Sequence, residues 1–93
     1  MTISIIKQND DVFIVKVTND VSTSHTVTVT DRSLADLTNN NVTKTQLLQF
    51  SFDFLLKREP NTSILSSFDL DVISKYFSDY RDEVRRWCDR VKV

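Results

Sequence analysis

The chain has 93 residues, 40% hydrophobic and 27% charged, with a formal net charge of −1; this is the composition of one soluble globular domain with a modest core. That balance excludes bulk electrostatic attraction to nucleic acid or anionic lipid, and the single cysteine, Cys88, can form neither an internal disulfide nor a cysteine metal site. No stretch reaches the roughly 18 apolar residues of a membrane span, and Met1 to Lys7 lacks the basic start and long apolar region of a secretory leader, so a cytoplasmic protein without membrane contact is expected.

The chain contains no glycine, so turns that need positive φ must use Asn or Asp. Asn9-Asp10-Asp11 separates an apolar-alternating run, Ile3 to Lys7, from a second, Val12 to Thr18. Asn19-Asp20 separates that from a third, His25 to Thr30. Three strands in an antiparallel meander are predicted. The period of two places Phe13, Val15 and Val17 on one face, with Val27 and Val29 inward and Thr26, Thr28 and Thr30 outward. The second strand is apolar on parts of both faces and suits the centre of the three.

From Asp31 the period becomes helical. Asp31 caps a short helix, Arg32 to Leu37, which the Asn39-Asn40-Asn41 cluster ends; Thr43 and Gln46 form a capping-box signature for a longer helix running to about Glu59 before Pro60. Phe50-Ser51-Phe52-Asp53-Phe54 alternates like a strand, but length, cap and terminal proline favour the helix. Its polar residues Gln46, Gln49, Asp53 and Lys57 share one narrow stripe, so it must be central and buried on two sides. Asn61-Thr62-Ser63 caps a brief helix through Ile64 and Leu65, and Asp69 or Asp71 starts the final one.

Leu70, Ile73, Phe77, Tyr80, Val84, Trp87 and Val91 then recur at alternating spacings of three and four, a stripe that must pack on something. It forms one rod, or two packed helices if Ser78-Asp79 caps a break. Only the tail from Arg81 is locally basic, with five positive groups against three negative. It reads as a solvated face laced by i,i+4 pairs such as Asp82 with Arg86 and Lys75 with Asp79. A weak phosphate-contacting patch is the alternative.

No catalytic, cofactor-binding or metal-binding constellation is visible, and no cofactor is expected. His25, the lone histidine, falls on the exposed face of a threonine-rich strand with no second ligand beside it. The carboxylates at Asp69, Asp71, Asp79, Asp82 and Glu83 sit at helix starts, where the macrodipole explains them. Without glycine there is no phosphate-cradling loop. Cys88 reads as a plain cysteine at the edge of the stripe, although Arg85, Arg86 and Arg90 beside it would favour a reactive thiolate. Tyr80 and Trp87 are large anchors that fill either the domain's own core or an interface.

The strand of Thr26, Thr28 and Thr30, followed by two helices, resembles the order of ribbon-helix-helix repressors and antitoxins. In that family the outward side chains of an intersubunit ribbon enter the major groove. Against this, the strand lacks Arg, Lys, Asn and Gln, the net charge is negative, and two preceding strands offer the ribbon an internal partner. Ser51 to Pro60, with Ser63-Ile64-Leu65, Phe68-Asp69-Leu70, Ile73 and Tyr76-Phe77, also resembles a family of small uncharacterised prokaryotic proteins. That resemblance implies no activity, cofactor or site residue.

The expected fold is α+β, a three-stranded antiparallel meander followed by three to four helices, in one domain with the meander in residues 1–30 and the helical part in 31–93. The expected role is a non-enzymatic interaction module that self-associates or binds a protein partner, as a homodimer burying Phe50, Phe54, Tyr80 and Trp87 or the exposed edge of the sheet. The rival is a ribbon-helix-helix-like DNA-binding dimer reading through Thr26, Thr28 and Thr30.

Overall fold

Strict alternation in the first thirty residues decides the sheet. In the computed structural model, which describes residues 2–91, β1 (Thr2–Lys7), β2 (Val12–Thr18) and β3 (Thr23–Thr28) pair as an antiparallel meander. Phe13, Val15, Val17 and Val27 are buried on one face, and the helices supply the rest of that core. The opposite face carries the exposed Ser4, Lys16 and Ser24. The first turn needs no positive φ: the Asn9 carboxamide oxygen accepts from the backbone N–H groups of Asp11 and Val12, at 3.0 and 2.9 Å. Among the described residues only Asn39 and Asn40 enter the left-handed region, at φ 54° and 61°.

The sheet has a fourth strand that the alternation does not announce. β4 (Ser67–Asp69) lies parallel to β3, giving the order β1-β2-β3-β4. The meander is therefore part of a mixed sheet, and the helical half of the chain contributes a strand. Three residues are too short to show a period of two; the backbone bonds Thr26 N to Ser66 O (2.8 Å) and Leu70 N to Thr28 O (3.0 Å) flank the pairing.

Among the described residues four helices follow the meander: α1 (Asp31–Thr38), α2 (Lys44–Leu56), α3 (Val72–Tyr76) and α4 (Tyr80–Val91), with one 3₁₀ turn at Asn61–Ser63 in place of the brief helix expected there. The cap of α1 is Thr30 and not Asp31, because the Thr30 hydroxyl accepts the Ser33 N–H at 3.1 Å. Asp31 instead pairs with Lys44 at 2.9 Å. The Thr43–Gln46 capping box opens α2, whose Leu47, Leu48, Phe52 and Leu55 are buried while Gln46, Gln49, Asp53 and Lys57 stay exposed. The exposed turn residues Lys57 and Arg58 and a bend at Glu59 then precede Pro60, so α2 stops at Leu56, short of Glu59.

The apolar stripe is two helices. Phe77 takes an extended conformation (φ −129°, ψ 102°) and α4 restarts at Tyr80. The break separates Lys75 from Asp79, so that pair does not form. Asp79 instead meets Arg58 of the α2 end at 2.6 Å, and Arg86 bonds Glu83 at 2.9 Å where Asp82 was expected. Along the stripe Leu70, Ile73, Tyr80 and Val84 are buried, whereas Val91 is exposed. Met1, Lys92 and Val93 lie outside the described residues, and with them the last basic group of the tail.

Candidate protein-binding groove

Of the four anchor residues expected at an interface, two belong to the monomer core. Tyr80 is fully buried and its hydroxyl stands 2.6 Å from Ser51 Oγ. Ser51 Oγ donates its only proton to the Leu47 carbonyl at 2.7 Å, so Tyr80 donates to Ser51. Burial pushes the Tyr80 phenol above its ordinary pKa. Phe54 is also buried, edge-on to Tyr80 (5.2 Å) and to Phe77 (5.8 Å), with the Arg58 guanidinium 3.6 Å from its ring centre.

Phe50 and Trp87 alone of the four reach the surface. Their rings stack at 4.6 Å and 16°, tying α2 to α4 at the mouth of a cleft of about 570 Å³. The other cleft walls include Gln49, Asp53, Lys57, Glu83 and Arg90. Both charge signs and two amide side chains alternate here with Phe50, Phe54 and Trp87, so the cleft is mixed in character.

The strand residues are placed differently from expectation. His25 is 2% exposed and lies against Phe52 at 5.5 Å. Its Nδ1 is 2.7 Å from the Leu65 carbonyl, which can only accept, so Nδ1 carries the hydrogen. Nε2 then accepts from the Thr23 hydroxyl at 2.8 Å, and that hydroxyl accepts from Asn61 Nδ2 at 3.0 Å. His25 is therefore on the core face that Val27 occupies and not on the exposed face expected for it, and the network of Thr23, Asn61 and Leu65 satisfies its ring nitrogens there. Thr26, Thr28 and Thr30 are half-buried, and β3 is paired with β2 on one side and β4 on the other. That leaves no free edge at Thr26 to Thr28 for an intersubunit ribbon.

Two further polar features are structural. Lys44 reaches Asp31, Asp11 (3.1 Å) and the Asp10 carbonyl (2.6 Å), tying the β1–β2 turn to α1 and α2. Burial pulls the Lys44 pKa down, but the hydrogen bonds and charges of Asp31 and Asp11 outweigh it and hold it above the ordinary value. Cys88 is buried, and burial followed by the Asp89 charge pushes its thiol pKa up, away from a reactive thiolate. No buried side-chain polar atom among the described residues lacks a partner, and none of their His, Cys, Asp and Glu groups cluster in threes around a metal-sized site. No helix among them is long and apolar enough to cross a membrane.

The surface that remains unexplained lies on another side of α2, at its C-terminal end. A groove of about 350 Å³ opens between the α2 C-terminus, the 3₁₀ turn, β4 and α3, walled by Leu55, Ile64, Leu65, Phe68, Ile73 and Tyr76. Leu65 is 47% exposed and Tyr76 70%, although the buried core beneath them is complete. His25 sets this wall, because its bond to the Leu65 carbonyl fixes the segment that carries the Leu65 side chain. The groove was not anticipated from sequence. Its one signal was that Leu65 and Tyr76 are large apolar residues standing off the helical stripe.

Comparison with protein-family models finds none that matches the chain, and neither the curated proteins nor the solved structures contain a match.

Proposed function

We propose that this chain is a protein-interaction module without chemistry of its own, and that it receives its partner in the groove of Leu65, Phe68 and Tyr76. The observation that carries this reading is the exposure of Leu65 and Tyr76 around a preformed apolar depression. Exposed apolar residues scattered singly are ordinary, but residues gathered around one concavity mark an interaction site. The Phe50–Trp87 pair already has its partner within the chain, so it needs no second molecule to shield its stacked faces. Self-association and a different protein partner both satisfy the groove, and they differ in mass.

Site-specific photo-crosslinking tests the reading in cells that make the protein. Benzoylphenylalanine in place of Tyr76 should give discrete crosslinked species of defined mass, at twice the chain mass for self-association. The same group in place of Phe50 should give none. Crosslinks from position 50 and not from 76 would overturn the assignment.

A further inference from the structure

The groove lies beside a sheet edge, and the two features together define what fits. The bonds Thr26 N to Ser66 O and Leu70 N to Thr28 O show that the even-numbered residues of this segment turn their backbone groups toward β3. Backbone direction alternates along a strand, so the N–H and C=O of Ser67 and of Asp69 point away from β3, to the side where the sheet ends. Side chains alternate as well: Phe68 turns its ring to the groove, while Ser67 and Asp69 are exposed. An edge of unpaired donors and acceptors is therefore bordered by an apolar trough on one face.

We infer that this edge takes an extended peptide segment of another protein, which adds a fifth strand beside β4 and sets an aliphatic or aromatic side chain into the trough over Phe68 and Tyr76. This deepens, and rests on, the reading of the groove as the partner site. Ser67 and Asp69 offer one donor and one acceptor each, which only an extended backbone meets in register. An amphipathic helix has no free backbone groups for them. A small polar metabolite is a poor fit, because the walls of the trough are apolar apart from Glu59, Ser63 and the Tyr76 hydroxyl. Glu59 is also its only charged wall and has no ion-pair partner among the described residues, so the segment should carry Lys or Arg two residues from its apolar anchor, on the same face of the added strand.

A random heptapeptide library displayed on phage, selected against the full chain, tests this directly. Enriched peptides should carry an aliphatic or aromatic residue at i with Lys or Arg at i+2 or i−2. The most enriched peptide should shift the amide resonances of Leu65, Phe68 and Tyr76 and slow hydrogen exchange at the Ser67 and Asp69 amides. Tyr76→Ser, a surface change that leaves the core intact, should weaken its binding about tenfold or more. Glu59→Gln should weaken basic peptides and leave neutral ones unaffected. Enrichment of helix-spaced peptides that bind the groove without protecting Ser67 and Asp69 would overturn the added strand while the groove stays a partner site. Shifts confined to Phe50 and Trp87 would overturn both. Groove shifts that grow with protein concentration alone, with a rise in mass, would replace the foreign peptide with a second copy of this chain. No enrichment over repeated selections would overturn the inference, and absence of crosslinks from position 76 would then remove the underlying reading as well.

Discussion

Tyr80→Phe separates a core tyrosine from an interface tyrosine, because the buried hydroxyl makes a signed demand on pH. At neutral pH the substitution removes the bond to Ser51, while Ser51 still donates to the Leu47 carbonyl, so no buried group is orphaned. The cost should be about 1 kcal/mol. Burial raises the folded-state pKa of the phenol above the unfolded value of about 10. The unfolded chain therefore loses its proton first. Stability from this group is complete below that value and falls by about 1.4 kcal/mol per pH unit above it, until the folded-state pKa is reached. Lys44 and Cys88 also titrate in the alkaline range, but identically in both proteins, and cancel in the difference. Wild type should be more stable than Tyr80→Phe by about 1 kcal/mol at pH 7, equal to it near pH ~10.7, and less stable above that. Urea unfolding followed by circular dichroism between pH 7 and 11 measures the crossing. Parallel pH profiles for the two proteins would show that the phenol is not buried in the monomer, and the core assignment would fail.

Further outcomes follow from the same contacts. His25→Ala leaves the Leu65 carbonyl and the Thr23–Asn61 pair without their shared partner and opens a void against Phe52. It should cost about 3 kcal/mol in urea unfolding, and a loss within 0.5 kcal/mol would contradict the network. Trp87→Ala removes a half-exposed ring stacked on Phe50, so its cost should stay below the roughly 3 to 5 kcal/mol of a fully buried aromatic, with the mass of the protein unchanged. Cys88 should react with a thiol-specific disulfide reagent far more slowly than the same residue in urea; equal rates would mean that α4 does not cover it.

What the sequence disclosed and what it hid divide along physical lines. The meander, the capping box at Thr43–Gln46 and the core faces of β2 were legible because each rests on a local period or a pair of residues three apart. β4 was not legible: it is a strand only because β3 lies beside it, and three residues carry no period. His25 was misread for a related reason, since its partner Leu65 lies 40 residues further along the chain, and Asn61, which donates to its other partner Thr23, lies 38 residues beyond Thr23. The expected aromatic site was half visible. Phe50, Phe54, Tyr80 and Trp87 do gather at the α2–α4 seam, but periodicity does not tell a residue that closes a core from one that waits for a partner. The groove is composed by four segments meeting at the end of the sheet, and no single window of sequence contains it.

Binding of the enriched heptapeptide to three proteins, wild type, Tyr76→Ser and Phe50→Ser, compared by titration calorimetry at one temperature, tests the central claim most directly. The groove assignment predicts that Tyr76→Ser weakens binding about tenfold or more while Phe50→Ser leaves it within about twofold. Unchanged affinity for Tyr76→Ser, or a larger loss for Phe50→Ser, would contradict it.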